Sequence, residues 1–340
     1  MSTADRYREA GVDLDAADRA KRRILASIAS TRTDLARGLP GAFGGMIRVP
    51  SDVEQPNLVM STDGVGTKVL VAIRAGRHDT VGEDLVNHCV NDILVHGARP
   101  LAFLDYIAAA DIDTDTVAAL VEGVARGCRA HGMTLVGGET AQLPELYHPG
   151  HYDLAGTIVG IVSEAEALHG DHVRAGDVLL GYASSGLHTN GYSLARRIVF
   201  DEAGLTVSGE LPGLGVTVAD ALLAVHRSYW AALAPVLPAV HALAHITGGG
   251  IPGNLGRSLP DGCGAIVHAG AWPVPELFGW LEDRGRVHRN EMYRVFNMGL
   301  GMIAVVSPEL VRDVQTAAAT AGVATWQVGE IVAGEGVRIT

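Results

Sequence analysis

A stretch of 29 residues, 228–256, contains no Asp, Glu, Lys or Arg. This stretch determines whether the chain could contain a membrane-spanning helix. A membrane-spanning helix needs about 20 mostly apolar residues. Three prolines and the glycine triplet 248–250 fall within this stretch and would break such a helix. We therefore predict no membrane segment and expect a buried helix that runs into a buried loop.

The charge and the cysteines narrow the class of protein further. The net charge is −12, so the chain lacks the positive field that attracts nucleic acids or anionic membranes. The three cysteines are odd in number and far apart, which favours a reducing compartment over a disulfide framework. The N-terminal residues are polar and show no secretory signal. We expect a cytoplasmic protein that acts on a small molecule.

Strand and helix patterns alternate irregularly along both halves of the chain. A length of 340 residues suggests two domains, and the polar segment 164–177 is the predicted boundary. We predict two α/β (α+β) domains, 1–168 and 169–340. Strands are predicted at 58–61, 101–108, 133–136, 153–162, 178–183, 264–267, 301–306 and 327–332. Helices are predicted at 83–96, 114–131, 192–203, 218–237, 276–284 and 308–321.

The segment STDGVGTK, residues 61–68, is the sharpest chemical motif. Asp63 follows a buried strand, and a carboxylate at such a turn can hold Mg²⁺ together with phosphate oxygens. Gly64 and Gly66 let the backbone approach a ligand, and Thr67 and Lys68 follow. The chain has only two lysines against 24 arginines, so Lys68 is favoured as a phosphate-neutralising cation over a surface decoration. A turn with an exposed lysine is the alternative.

Further acids are placed to complete a metal site. Asp84, His88 and Asp92 form one stripe on the predicted helix 83–96. A solvated face is an equally good interpretation for the first two. Asp92 opposes the dipole at the helix C-terminus, which would make sense if it faced a cation. Glu139 follows a predicted strand and supplies a third acid for a metal–triphosphate cluster.

The loop 184–193 ends at a predicted helix N-terminus, which is a good phosphate seat. Asn190 and Ser193 could equally serve as helix caps. His188 is a candidate acid or base, although a lone histidine is more often structural. We expect this loop to contact a phosphate-bearing ligand.

Residues 245–254 contain a formal dinucleotide-binding pattern of glycines, but Pro252 interrupts it and no clear βαβ unit surrounds it. A glycine triplet that closes on a phosphate is the favoured interpretation. His241 and His245 have the spacing of a zinc pair on a helix. No acidic third ligand stands nearby in the sequence, so we expect core or loop histidines.

Eight segments, in order and from about residue 7 to 332, closely resemble phosphoribosylformylglycinamidine cyclo-ligases. They read GVDLDA, STDGVGTK, HDTVGEDLVNHCVNDILVHGARPLAFLDY, GGETAQLPELY, YDLAG, SSGLHTNGYS, HITGGGIPGNL and EMYRVFNMGLGMI. The resemblance implies ATP-dependent ring closure of formylglycinamidine ribonucleotide to aminoimidazole ribonucleotide, with release of ADP and phosphate, the fifth step of de novo purine synthesis. It also implies a homodimer whose N-terminal mixed sheets join into a barrel, and a C-terminal α/β sandwich.

The resemblance also implies roles for individual residues. Mg²⁺ and the ATP phosphates would be held by Asp63, Asp92 and Glu139, assisted by Gly64, Gly66, Thr67 and Lys68. A mobile loop over the nucleotide would include Gly41, Phe43, Gly44 and Gly45. The substrate and its ribose phosphate would contact Asn190, Gly191, Tyr192, Ser193, Gly248, Gly249 and Gly250. The catalytic set would be Asp63, Lys68, Asp92 and His188, the last for proton transfer.

Five residues depart from the pattern that the resemblance implies. Ala42 replaces a glycine in the mobile loop, and Leu25 replaces a lysine linked to nucleotide binding. The pair Asn87-His88 replaces a commoner small or apolar pair. Thr189 replaces a serine and keeps the hydroxyl. None of these removes an expected metal ligand.

Three other functions stay open at this stage. A selenide water dikinase or thiamine-phosphate kinase would place acids in the early nucleotide loop, and residues 41–45 contain none. A nucleotide-binding regulator without turnover would fit Ala42 and Leu25 but not the intact acids. A dinucleotide oxidoreductase rests only on the interrupted glycine pattern.

Overall fold

The first half of the chain forms a mixed α/β unit in the computed structural model, which describes residues 14–38, 44–111 and 113–340. Its strands are β1 Ala36–Arg37, β2 Met46–Ile47, β3 Pro56–Gly64, β4 Arg99–Ala109, β5 Thr134–Gln142 and β6 Tyr152–Ser163. Its helices are α1 Leu14–Ser30, α2 Lys68–Ala75, α3 Asp79–Leu94 and α4 Thr114–Ala130. Four strands form a sheet in the order β3-β6-β4-β5, while β1 and β2 pair separately.

The second half is built around a larger sheet. Its strands are β7 Val178–Ala183, β8 Val240–His245, β9 Cys263–Val267, β10 Leu300–Val306, β11 Thr325–Ala333 and β12 Val337–Ile339. Its helices are α5 Tyr192–Arg196, α6 Val218–Leu222, α7 Trp230–Leu233, α8 Gly250–Leu255, α9 Glu276–Gly285, α10 Arg289–Val295 and α11 Val311–Thr320. The strand order is β12-β9-β11-β7-β10-β8. The predicted two-part α/β fold is confirmed, while the division at residue 168 and the dimeric barrel stay predictions.

Helix α3 is held close to its neighbours by small residues. A Cβ on Gly82 would overlap the carbonyl oxygen of Leu120, and one on Gly123 would overlap that of Asp79. These glycines let α3 and α4 approach at backbone distance. Asp113 caps α4, since its carboxylate accepts a 2.9 Å hydrogen bond from the Thr116 N–H. The functional side chains of α3 therefore project from a fixed frame.

Two strands run further than the sequence predicted. β3 continues through Asp63 to Gly64, because both residues pair with β6. β5 continues through Gly137-Gly138-Glu139 to Gln142, because this segment pairs in parallel with β4. Asp63 and Glu139 therefore lie on strands, not in the turns that we predicted from their glycine neighbours.

The predicted helix 218–237 is wrong. The chain forms the short helices α6 and α7 there, with a non-helical segment, 223–229, between them. The charge-free stretch then enters β8, a strand that we did not predict. An apolar run of this length does not distinguish a buried strand from a buried helix by periodicity alone. Pairing of β8 with β10 decides the matter.

Candidate active site

Three segments that lie far apart in the sequence meet at one edge of the molecule. The Thr67 hydroxyl is 3.3 Å from that of Ser193. The backbone of Gly66 passes so near the Thr189 carbonyl that a Cβ there would lie 3.6 Å from it. A Cβ on Gly248 would lie 3.4 Å from the Asn190 side-chain oxygen. The structure therefore brings together the STDGVGTK segment, the 184–193 loop and the glycine triplet.

Two carboxylates and two imidazoles form the centre of this site. His88 on α3 places its Nε2 atom 2.8 Å from Asp63 Oδ2 and 3.7 Å from Asp92 Oδ2. His245, at the end of β8, places Nδ1 2.8 Å from Asp92 Oδ1. Ser61 donates a 3.1 Å hydrogen bond to the other oxygen of Asp92. We call Asp63, His88, Asp92 and His245 the acid–imidazole cluster.

Two further histidines lie beneath the cluster. The rings of His188 and His226 stack with their centroids 4.0 Å apart. His226 Nε2 lies 3.2 Å from His245 Nε2, and the Thr189 hydroxyl lies 2.7 Å from His88 Nδ1. All four imidazoles are nearly inaccessible to solvent. The acid–imidazole cluster therefore rests on a buried polar layer.

The cluster sets opposite pKa shifts on its acids and on His88. Burial raises the pKa of Asp63, but the facing His88 imidazole outweighs it and the pKa is lowered. Burial also acts on Asp92, where the His245 contact lowers the pKa overall. For His88, burial lowers the pKa, but the two carboxylates raise it above its ordinary value. The site therefore favours ionised acids beside a cationic His88.

His188 and His226 behave differently, because no carboxylate faces them. Burial, followed by neighbouring positive charges, lowers the pKa of each far below its usual value. Both are therefore neutral near pH 7. His188 is only 1% exposed and is covered by the stacked ring of His226. The described structure gives it no solvent-accessible face, and its role in proton transfer stays a prediction.

Lys68 points away from the open site. Its ammonium lies 2.7 Å from Asp84 Oδ2, and neither side chain is exposed. It also donates to the carbonyls of His188 and Ala224, at 3.2 and 2.7 Å. The prediction of a phosphate-neutralising cation fails here because the ammonium is fully buried beside three protein oxygens. Lys68 instead ties α2 to α3 and to two loops of the second half.

Side chains on the inner face of α3 form hydrogen bonds with the backbone of the non-helical segment 223–229. Asp84 Oδ1 accepts a 2.6 Å hydrogen bond from the His226 N–H. The amide of Asn87 donates to the His226 carbonyl at 2.8 Å. The amide of Asn91 donates to the Arg227 carbonyl and accepts from the Tyr229 N–H, both at 2.9 Å. These contacts fix the two halves relative to each other at the site.

Glu139 does not join Asp63 and Asp92 within one chain. Asp63 pairs with Gly156, which pairs with Asp105, which pairs with Gly138. Three strand spacings of about 4.8 Å therefore place Glu139 roughly 14 Å from Asp63. Its predicted role as a ligand to the same ion is wrong for a single chain, and a shared ion would require a second copy to close the sheet.

The predicted substrate residues divide into exposed and buried groups. Asn190 and Ser193 are accessible, as are Gly248 and Gly249. Tyr192 is 3% exposed and donates to the Leu222 carbonyl, so it belongs to the core. A side chain on Gly191 would overlap Phe296, and one on Gly250 would overlap the Tyr293 carbonyl. These last two glycines are therefore needed for packing.

The predicted nucleotide loop is only partly described. Gly41, Ala42 and Phe43 lie outside the described residues. Gly44 adopts a φ of +70°, and a Cβ on Gly45 would lie 2.5 Å from the Val136 side chain. Leu25 is an exposed residue of α1.

A cavity of about 400 Å³ opens beside the cluster. It is lined in part by Asp92 and His245 and by the polar residues His96, Thr247, Asn254 and Arg257. Asn254 also braces the glycine triplet, since its amide donates to the Gly250 carbonyl at 2.8 Å. The cavity offers a cationic guanidinium and neutral hydrogen-bonding groups to a ligand.

Sequence reasoning missed the part played by His226 and His245. His226 lay in a predicted helix, and His245 was assigned to the core because no acid stood near it in the sequence. The acid that contacts it, Asp92, lies on helix α3, 153 residues earlier in the sequence. In the sequence, only the i, i+4 spacing of His88 and Asp92 on one helix face indicated that these side chains could share a further polar partner.

Two family models match the chain and define its class. Residues 44–162 match the model described as AIR synthase related protein, N-terminal domain. Residues 174–340 match the corresponding C-terminal domain. The chain is thus one of the AIR synthase related proteins.

Curated relatives give the particular family. A phosphoribosylformylglycinamidine cyclo-ligase of Sorangium cellulosum is 48% identical over 330 residues, covering 96% of this chain and 95% of that protein. Its counterpart in Xanthomonas campestris is 46% identical over 335 residues, covering 97% of each. The chain therefore belongs to the phosphoribosylformylglycinamidine cyclo-ligase family, the ligases of purine biosynthesis.

Solved structures share the fold at low identity. Thiamine-monophosphate kinase from Stenotrophomonas maltophilia aligns with a TM-score of 0.69 and 19% identity, covering 95% of this chain and 94% of that one. The hydrogenase maturation protein HypE in complex with ATP aligns with a TM-score of 0.61 and 18% identity, covering 92% and 86%. At these identities the likeness concerns the fold alone. Among the described residues, no helix is both long and apolar enough to cross a membrane.

Proposed function

We propose that the protein uses ATP to close the imidazole ring of aminoimidazole ribonucleotide from formylglycinamidine ribonucleotide, releasing ADP and phosphate. The observation that carries this proposal is the meeting of Gly66-Thr67, Asn190-Ser193 and Gly248 beside Asp63 and Asp92. These are the segments on which the family resemblance rests. The HypE protein of the same fold has been solved with ATP, which supports ATP as the nucleotide.

The chemistry explains why ATP is needed. The formyl oxygen is a poor leaving group, so it first attacks the γ-phosphorus, and ADP departs. An amidine nitrogen of the same substrate then attacks the activated carbon. The carbon–oxygen bond breaks, the oxygen leaves within phosphate, and the attacking nitrogen loses a proton. Because both reacting groups belong to one bound molecule, positioning supplies much of the acceleration.

We assign Mg²⁺ binding to Asp63 and Asp92. Their side chains are 46% and 22% exposed, so both carboxylates face solvent where a hydrated ion and ATP phosphates can approach. Mg²⁺ prefers oxygen ligands and keeps several waters, which these two acids fit. When bound, the ion would offset phosphate charge during transfer. His88 and Ser61 hold the two carboxylates in place.

We assign the ribose phosphate of the substrate to Asn190, Ser193 and the backbone of Gly248 and Gly249. All four are accessible, and they surround the same opening. Arg257 in the adjoining cavity can add a charge-assisted hydrogen bond to the phosphate. His188 supports this surface from below as a positioning residue for Thr189 and His226.

We also propose that the protein works as a cytoplasmic homodimer. The outer face of the first sheet exposes Leu58 and Met60 of β3 and Tyr106 of β4, which is unusual for a sheet that faces water. A second copy would cover this face. The three cysteines are free thiols, as expected in a reducing compartment.

A charge introduced on this apolar face tests the dimer. Met60→Lys should convert the protein from dimer to monomer, because a desolvated ammonium at the centre of an apolar interface is costly. Light scattering after size exclusion measures the mass. Val216→Lys is the matched control, since Val216 is 41% exposed and lies in the second half of the chain, outside the first sheet. A native protein that is monomeric at micromolar concentration would contradict the proposal.

The reaction itself is tested with Mg-ATP and formylglycinamidine ribonucleotide that carries ¹⁸O in the formyl group. ADP and aminoimidazole ribonucleotide should appear one to one, and the label should be recovered in phosphate. ADP without the aminoimidazole would point to a kinase. Unlabelled phosphate with product formation would contradict phosphorylation of the formyl oxygen.

A further inference from the structure

We propose that Arg74 and Arg196, which we call the arginine pair, bind the oxyanion of a phosphate or a phosphate monoester. The pair lies on the flank of the candidate active site, one to two helical turns from the contact between Thr67 and Ser193. The proposal rests on the proposed function only for the source of the phosphate. Binding of the oxyanion is a property of the arginine pair itself.

Two helices position the arginine pair side by side. Thr67, just before α2, and Ser193, in the first turn of α5, place their hydroxyls 3.3 Å apart. Arg74 follows Thr67 by seven residues and lies on the same face of α2. Arg196 follows Ser193 by three residues and lies on the same face of α5. The two side chains therefore extend from neighbouring helix faces that meet at the hydroxyl contact.

The ring of Phe200 brings the two arginines together. Phe200 lies in a short π-helical segment, Arg197–Glu202, that continues α5. The Arg74 guanidinium lies over this ring, with its central carbon 4.4 Å from the ring centroid. Four residues separate Phe200 from Arg196, so both lie on one helix face. Stacking covers the flat face of a guanidinium and leaves the N–H donors at its edge free for an oxyanion.

Neither guanidinium has a counter-charge in the part of the chain that the structure describes. The Nε atom of Arg196 is buried and has no hydrogen-bond partner. Burial lowers the pKa of Arg196, and the positive charge of Arg74 lowers it further. The Asp201 carboxylate acts in the opposite direction but forms no ion pair with either arginine. An anion bound between the two guanidiniums would relieve their repulsion and satisfy the buried donor.

Neighbouring arginines differ from the pair, because each has its own carboxylate. Arg77, one turn after the first member of the pair, contacts Asp220 at 2.6 Å. Arg197, adjacent to the second member, contacts Glu202 at 3.1 Å. The net charge of the chain is −12, so acidic residues are in excess. Two adjacent arginines without a carboxylate therefore favour an anionic ligand over a structural ion pair.

The donors of the arginine pair decide the class of ligand. A guanidinium presents a fork of N–H donors that fits two oxygens of one phosphate group. Two guanidiniums match the double negative charge of phosphate better than the single charge of a carboxylate. Besides ATP, the proposed reaction handles phosphate in two forms, the monoester of its substrate and the inorganic phosphate that it releases. The arginine pair either extends the seat for the first or holds the second.

The test is calorimetric titration of the full chain with inorganic phosphate, without nucleotide or substrate. Arg74→Gln and Arg196→Gln should each weaken one phosphate-binding event by about 10-fold or more, as for loss of hydrogen bonds from a charged donor. Arg77→Gln and Arg197→Gln are the matched controls and should bind phosphate as the native protein does. Equal phosphate affinity in the native protein, Arg74→Gln and Arg196→Gln would overturn the proposal.

Steady-state kinetics distinguish the two sources of phosphate. If the substrate's monoester occupies the pair, Arg196→Gln should raise the KM for substrate by about 10-fold and leave the KM for ATP unchanged. If released phosphate occupies the pair, inhibition by added phosphate should weaken by about 10-fold, with both KM values unchanged. Native KM values together with native phosphate inhibition would contradict the proposal. Arg74 is exposed, so Arg74→Gln repeats each measurement if Arg196→Gln does not fold.

These measurements also separate the arginine pair from the proposed function. The titration needs no turnover, so a protein without cyclo-ligase activity can still bind phosphate through the pair. An active cyclo-ligase whose variants all bind phosphate equally well would overturn the arginine pair alone.

Discussion

Two carboxylates on helix α3, Asp84 and Asp92, lie about two turns apart and have opposite environments. Asp84 and Lys68 form an ion pair from which water is excluded, and no part of either side chain is exposed. Asp92, two turns further along, keeps 22% of its side chain exposed and shares its oxygens among Ser61, His245 and His88. One helix face thus passes from a sealed structural pair to an open binding group.

The difference shows what burial does to an ion pair. A sealed pair costs desolvation on both partners and is expensive to break, but it has no ligand to offer. Asp63 and Asp92 lie at the rim of the open site, by which we mean its partly exposed edge. Such an acid is held ionised by its neighbours and still reaches a soluble cation. Asp63 and Asp92 are therefore the groups to expect in the chemistry, and Lys68 the group to expect in folding.

The largest effect should come from breaking the sealed pair. Lys68→Met leaves Asp84 buried without its counter-charge, and we expect a loss of about 3–5 kcal/mol in the free energy of unfolding. Chemical denaturation of the native and variant proteins measures this loss. The double variant Lys68→Met with Asp84→Asn should recover part of it. An unchanged stability with lost turnover would place Lys68 in the chemistry after all.

A large effect of a different kind should come from the rim. Asp63→Asn and Asp92→Asn should each lower turnover by at least about 100-fold, as for loss of one electrostatic stabiliser. Their melting temperatures should change little beside that of Lys68→Met. Asp220→Asn is the control, because it removes an exposed carboxylate that pairs with Arg77. Normal turnover in either rim variant would remove that residue from the metal assignment.

A smaller effect should come from Asp105, a largely buried acid in the same sheet. Burial, only partly offset by a backbone contact, raises its pKa to about 7. The folded protein then binds a proton that the unfolded chain releases near pH 4, so stability falls as the pH rises towards 7. Asp105→Asn removes this dependence and should raise the melting temperature by a few degrees at pH 8.

The advantage of the same variant should be clearly smaller at pH 5 than at pH 8, because the stability that Asp105 costs accumulates between about pH 4 and pH 7. Scanning calorimetry at both pH values checks the sign. A variant that is destabilised equally at both would show that Asp105 acts through its packing against Gly138 and not through its charge.

The sequence predicted the elements whose signals are local. Strand β7 was predicted with its observed bounds, and α4 was predicted to within one residue, because apolar periodicity acts over a few residues. The converging motifs were also identified, since strand ends and glycine turns carry Asp63, Asn190 and Gly248. Family resemblance supplied the reaction, which residue spacing alone did not.

The errors arose where distant segments decide the outcome. β5 continues through two glycines only because β4 lies beside it, and β8 is a strand only because β10 accepts it. Lys68 looked like a phosphate ligand until Asp84 and two carbonyls from the other half enclosed it. The acid for His245 lies 153 positions away. No local pattern contains that information.

The most direct test of the account is hydrogen exchange of the native enzyme with and without a non-hydrolysable Mg-ATP analogue plus substrate. Amides that a ligand covers or orders become protected. The account predicts new protection in residues 62–67, 189–193 and 246–250 together, with the amides near Lys68 already slow in the free protein. Protection confined to one of these segments, or placed elsewhere in the second sheet, would contradict a site shared between the two halves.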